Sequence, residues 1–197
     1  MQKETGFEQV ASHRHFATLD LVVIALLAAL GNIISSLLDM LKPFFKASPI
    51  PFFQLLGGYH LIWMALGFGI TRKHGAPTFV ATIKGVLEFM FWDPFFGPWV
   101  IALNLVEGLM LDAGFYAFRR LRSERARWII AGSLGNLLQP LVSYTIVTYY
   151  LGRAFPEYLL VATLFAVVSG AVIAGVLGYQ LQKTVRRPDV QAFVSSG

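Results

Sequence analysis

Five polar or ionisable side chains stand where the sequence is otherwise apolar: Lys84, Glu88, Asn104, Glu107 and Asp112. Within a hydrocarbon-like stretch each charge costs a few kcal/mol, about 2.5–3.5 on the insertion scale, so such residues ask for a partner or a function. Lys84 and Glu88 are four apart and share a helix face. Glu107 shares a face with Asn104 and Leu111, whereas Asp112 is rotated away and reads as structural or cytoplasm-facing. Lys84 therefore has two candidate partners, Glu88 and Glu107. A second polar stripe, Asn136, Gln139 and Ser143, repeats at helical spacing. Carboxylates beside amides in an apolar setting suit capture of a small polar or cationic ligand. They equally suit interhelical hydrogen bonding.

Other chemistry is excluded by what is missing. The 197 residues contain no cysteine and four histidines, and His13, His15, His60 and His74 have no metal-ligand spacing on one helix. No phosphate-binding Gly-x-x-x-x-Gly-Lys loop and no Ser/His/Asp or His-Glu-x-x-His set is present. The chain is neither a self-powered pump nor, on any positive sign, an enzyme, and no cofactor is implied. A net charge of +5 does not point to nucleic acid, because the basic residues fall in short clusters between apolar stretches.

Those stretches must position the polar residues. Hydrophobic residues make up 56% of the chain, charged ones 14%, and the mean hydropathy is +0.62. Apolar runs at about 17–41, 52–70, 76–92, 99–118, 128–151 and 158–181 approach the ~20 residues that cross a bilayer. The sequence thus predicts an all-α membrane protein, a bundle of six transmembrane helices. Its expected divisions are a cytoplasmic segment 1–16, a substrate-binding domain 17–182 and a cytoplasmic tail 183–197. Segment 1–16 lacks the pattern of a cleaved signal peptide. Pro77 is predicted in the first turn of its helix, and Pro140 predicts a kink.

Twelve Lys and Arg side chains fall on one side of these spans and three on the other. That asymmetry predicts that both termini are cytoplasmic. Trp92, Trp99, Tyr149, Tyr150 and Tyr158 then fall at the outer membrane interface and Trp128 at the inner one. Small residues recur at Ala25-x-x-x-Ala29 and Gly170-x-x-x-Ala174-x-x-x-Gly178, spacing that lets helices approach closely. The second pattern reads as internal packing, and the first as a face for an outside partner.

Three strings occur in a recognisable order: RKHGAPTFVATIKGVLE, DPFFGPWVIALNLVEGLMLDAGF and VVSGAVIAGVLG. Together they resemble the YkoE family, S components of energy-coupling factor (ECF) transporters for thiamin or its hydroxymethylpyrimidine precursor. The resemblance implies a helical bundle that captures a vitamin at its extracellular end. It also implies a transmembrane coupling subunit (EcfT-like) and a pair of cytoplasmic ATPases as partners. Contact with the coupling subunit would fall at Ala25 and Ala29. The implied substrate-binding set is Glu88, Asn104, Glu107, Gln139, Tyr144 and Trp63, which offers charge, amide hydrogen bonds and aromatic faces to a cationic aminopyrimidine. The chain departs from the family pattern in carrying an acid at Glu107, where an amide is usual, and in Lys84. Two alternatives stay open: an S component for another small ligand or a transition-metal ion such as cobalt, and a membrane scaffold with no transport role.

Overall fold

The computed structural model describes residues 15–41, 52–91, 97–150, 152 and 159–185, and every regular element among them is helical. Helix α1 is Thr18–Asp39, and a 3-10 turn, Phe52–Leu56, leads into α2, Gly58–Thr71. Next come α3, Ala76–Met90, and α4, Trp99–Ala117. They are followed by α5, Glu124–Leu137, and α6, Gln139–Tyr149. The last rod is α7, Leu159–Ser169, continued by a wide π-wound segment Gly170–Leu177 and by α8, Gly178–Val185.

The helix starts follow from local chemistry. The Ser123 hydroxyl accepts from the Ala126 amide at 3.2 Å and opens α5. Pro77 lies in the first turn of α3, as predicted, where its missing N–H costs nothing. Pro140 bends the rod as expected. The bend falls at Leu138, between α5 and α6, with Pro140 in the first turn of α6. A proline removes a backbone donor and crowds the preceding turn, which places the bend ahead of it.

Among the described residues four stretches are long and apolar enough to cross a bilayer: Thr18–Leu38, Trp99–Ala117, Glu124–Tyr149 and Leu159–Val185. Leu160, Leu164, Val168 and Val172, spaced by four, all face outward, as do Leu26, Leu30 and Ile33 of α1. The chain is a multi-pass membrane protein. Helices α2 and α3, of 14 and 15 residues, extend only ~21–23 Å, yet α2 is the innermost element. Ten of its residues are buried, which is where a helix apolar all round belongs. Leu61, Met64, Ala65 and Phe68 pack there against Leu111, Phe115 and Ala131.

Trp128 corrects an expectation. It is fully buried, its ring edge-on to Phe115 at 5.3 Å and filling the space beside Gly69. It is a core residue and not an inner-interface anchor. Tyr149 and Tyr150 are exposed, as a belt requires, while Trp92 and Tyr158 lie outside the described residues.

Ion pairs gather one end of the bundle. Lys73 donates to the Asp20 carboxylate at 2.6 Å and to the His15 carbonyl at 2.7 Å. Arg72 meets Glu124 at 2.5 Å. Asp112 accepts from the Gly75 amide at 2.8 Å, from the Thr78 amide at 3.0 Å and from the Thr78 hydroxyl. The turn between α2 and α3 is thereby fastened to α1, α4 and α5. Asp112 is structural, as its rotation on the helix implied. Lys73 and Arg72 make this the basic end of the bundle.

The small residues of 170–178 pack internally, as predicted. A Cβ on Gly170 would lie 2.2 Å from the Gly132 carbonyl oxygen, and one on Gly132 would lie 2.3 Å from that of Gly170. The backbones of α5 and the π-wound segment touch there.

Candidate functional site

The polar side chains collect at one depth. Gly58 lies 13 residues before the end of α2, Asn104 13 before the end of α4, Glu88 12 after the start of α3 and Asn136 12 after the start of α5. At 1.5 Å per residue each is ~18–20 Å from the basic end. The apolar core fills the space between, so the polar layer sits toward the opposite end of the bundle.

On one side of the layer, four helices converge on Lys84, which is completely buried. Its ammonium donates to Glu88 Oε1, to Asn104 Oδ1 at 3.1 Å and to His60 Nδ1 at 3.1 Å. Three donors meet three acceptors. Asn104 spends its two amide protons on Glu88 Oε2 at 2.6 Å and the Val100 carbonyl at 2.9 Å. Ser35 Oγ of α1 lies 2.9 Å from His60 Nδ1. An ammonium can only donate, so Nδ1 accepts from Lys84 with the imidazole proton on Nε2, and the Ser35 hydroxyl shares that single lone pair.

Close backbones make this convergence possible. A Cβ on Gly85 would stand 3.1 Å from Ile101 Cα, and one on Gly108 would stand 2.5 Å from Ala81 Cβ. Helices α3 and α4 are therefore in contact above and below Lys84. Glu107, one turn nearer the basic end than Asn104, is buried, and among the described residues no hydrogen bond or ion pair reaches its carboxylate. Lys84 thus pairs with Glu88.

On the other side, the turn before α2 rests on the layer. Ser169 Oγ donates to the Leu55 carbonyl at 2.7 Å and accepts from the Gly58 amide at 2.7 Å. Asn136 donates to the Ala166 carbonyl at 2.8 Å, and its own Oδ1 is buried without a partner. Gln139 donates to Ser143 at 3.2 Å and likewise leaves Oε1 unpaired. Trp63 packs its ring against Gly31 with Nε1 buried and unpaired.

Of the expected substrate residues, Glu88, Asn104 and Glu107 are therefore neighbours around Lys84. Among the described residues no hydrogen bond joins Gln139, Tyr144 or Trp63 to that cluster. Ala25 is exposed on the outer face of α1 and Ala29 half-buried, while Ala28 is in the core. The sequence reading missed His60 and Ser35. Helix α2 holds no Asp, Glu, Lys or Arg and His60 is its one histidine, a signal in plain view once metal-ligand spacing is not the question. Among the described residues no group of three or more His, Asp and Glu side chains is disposed to hold a metal ion.

Comparison with known proteins agrees with this architecture. The fold matches a crystal structure of an S component of an ECF transporter with a TM-score of 0.72 and 22% identity, covering 87% of this chain and 86% of that one. In sequence the chain is similar to YkoE of Bacillus subtilis (strain 168), provisionally described as an HMP/thiamine permease protein. The two are 27% identical over 157 residues, covering 80% of this chain and 72% of the relative. The family described as "ABC-type cobalt transport system, permease component" matches residues 19–138. With well over half of its residues inside that match, the chain belongs to this family of transport-system permease components, and its YkoE-type sequence is folded as an S component.

Proposed function

We propose that this protein captures thiamin or hydroxymethylpyrimidine at the extracellular face of the membrane, as the substrate-binding component of an importer driven by separate ATPases. In this reading α2, which lies within the bundle, and α3 complete a count of six transmembrane helices, each shorter than the bilayer. The charge bias puts the basic end and both termini in the cytoplasm. The polar layer then faces the outside, beneath the end of the bundle that a ligand would enter.

One observation carries the choice of ligand: two carboxylates, Glu88 and Glu107, share the layer with a single ammonium, Lys84. A monocation such as thiamin would balance the set once both carboxyl groups are ionised, and low effective dielectric strengthens its attraction. The family description raises cobalt as a second ligand. The residues around Lys84 speak against it, because among the described residues no third His, Asp or Glu stands with His60 and Glu88 to complete a metal site. Gln139, Tyr144 and Trp63 are proposed to join the site from the facing helices, since buried unpaired atoms on Gln139 and Trp63 offer hydrogen bonds to a polar guest.

Titration calorimetry of the purified protein tests this. Glu88→Gln keeps size and hydrogen-bonding capacity but removes charge. Thiamin affinity should fall by roughly 10-fold or more, and affinity for neutral hydroxymethylpyrimidine much less. Equal losses for both would make Glu88 only a partner of Lys84. Failure of the unaltered protein to bind either ligand would remove the substrate assignment.

The outward face of α1 is proposed to meet the coupling subunit. With Ala25 exposed and Ala29 at the rim, a neighbouring helix could approach closely. The Ala25→Leu, Ala29→Leu double variant should keep ligand binding and lose most uptake in cells carrying the partner subunits. Loss of binding in the isolated protein would place these alanines in internal packing instead.

A further inference from the structure

Lys84 is held by three acceptors, yet a second buried carboxylate nearby is unused. Glu107 is 5% exposed and has no hydrogen bond or ion pair among the described residues. The register of α3 and α4 sets the geometry. Ala81 faces Gly108, and Gly85 faces Ile101 and Asn104, so Lys84 emerges between the levels of Asn104 and Glu107. Those two residues are three apart, ~4.5 Å along the helix. A lysine stem of four carbons with free rotation covers that distance without moving its backbone.

A cation arriving at Glu88 meets Lys84 already there. Two positive charges a few Å apart in a buried site repel strongly, so one must leave. We propose that Lys84 has two carboxylate stations: Glu88 when the site is empty, and Glu107 when a cationic ligand takes Glu88. Lys84 is then a tethered stand-in for the ligand's charge and determines that the guest is a cation. This second half rests on the substrate reading above. The first half, the exchange between stations, needs no ligand.

His60 makes the exchange tolerable. When Lys84 departs, His60 Nδ1 keeps the Ser35 hydroxyl at 2.9 Å and is not left bare. Asn104 keeps its donor to Glu88 and its anchor to Val100, so the carboxylate stays aimed for the incoming cation. Glu107 gains the ion pair it lacks in the empty state.

Thermal unfolding of detergent-solubilised protein without ligand tests the two stations. Four forms are compared: unaltered, Glu88→Gln, Glu107→Gln and the double variant. Glu88→Gln should cost little, because Lys84 moves to Glu107. Glu107→Gln should cost little or nothing, because it replaces a buried carboxyl group that has no hydrogen-bond or ion-pair partner among the described residues. The double variant strands Lys84, so its midpoint should fall by roughly 6 °C or more beyond the sum of the single effects; failure to fold only in the double variant is the same result in extreme form. Additive effects, or a Glu88→Gln protein as damaged as the double variant or unable to fold, would overturn the proposal. Calorimetry adds the ligand half: Lys84→Met should bind thiamin roughly 10-fold more tightly, since nothing need be displaced. Weaker binding would make Lys84 a fixed scaffold for Glu88. Coupling in the ligand-free cycle without thiamin binding would remove the substrate reading and leave the two stations intact.

Discussion

Gly170→Leu is expected to abolish the folded protein. The Cβ alone would lie 2.2 Å from a backbone oxygen of Gly132, and a backbone cannot rotate aside as a flexible side chain does. Relief requires α5 and the π-wound segment to separate, which opens the interface holding Asn136 to the Ala166 carbonyl. Overpacking commonly costs 1–3 kcal/mol. A backbone collision belongs with the exceptional cases, so the expected loss is at least about 4 kcal/mol. Val172→Leu, on the exposed face of the same segment, is the control and should behave as the unaltered protein. Size-exclusion profiles of the two variants in mild detergent check this. A monodisperse Gly170→Leu protein of normal thermal stability would show that the two backbones do not touch.

Asp112→Ala should produce the next largest effect, and for an unrelated reason. This carboxylate closes the start of α3 with three hydrogen bonds from Gly75 and Thr78, and its negative charge sits at the positive end of that helix. A lost cap costs about 1 kcal/mol and charged hydrogen bonds about 1.5–3 kcal/mol each. The bonds are not independent, so the total expected is about 3 kcal/mol, or roughly 6–12 °C in the unfolding midpoint. Asp112→Asn retains an acceptor and should lose about half as much. Ligand affinity measured below the new midpoint should hardly change, because the cap lies at the basic end, remote from Glu88. A large affinity loss in a stable Asp112→Asn protein would give this residue a direct role in binding.

Sequence pattern and structure part company where helix rotation decides. The i,i+4 spacing made Glu88 one of two readable partners for Lys84, and the apolar runs made the spans readable. The internal packing of Gly170 and Ala174 was also legible, since small residues at intervals of four have few other uses in a membrane. His60 was visible but unplaced. Its contacts to Lys84 and Ser35 join three helices, and no local period states which faces will meet. Trp128 misled because position near a basic loop suggests an interface. Its burial depends on Gly69 and Gly178, far away in sequence, leaving room for its ring. The RKHG turn was noted as a motif, while its tasks of binding Asp20, Glu124 and Asp112 are tertiary. Segment 170–177 gave no hint of its winding, because a run of small and apolar residues has the same appearance at 3.6 residues per turn as at a wider pitch.

That wider pitch makes length, and not only composition, a heritable constraint on the last rod. A π-wound segment carries an additional residue relative to an α-helix of the same rise. Deleting one residue within 170–177 would let ordinary winding return, and every side chain beyond it would be rephased by about 100°. Gln182, now buried against Gly69, and Tyr179, now beside Trp128, would turn away from the core together. The outward positions of the segment are free to vary among apolar types, but a one-residue insertion or deletion there disturbs the whole of α8. The junction acts as a reading frame for the helix that follows it.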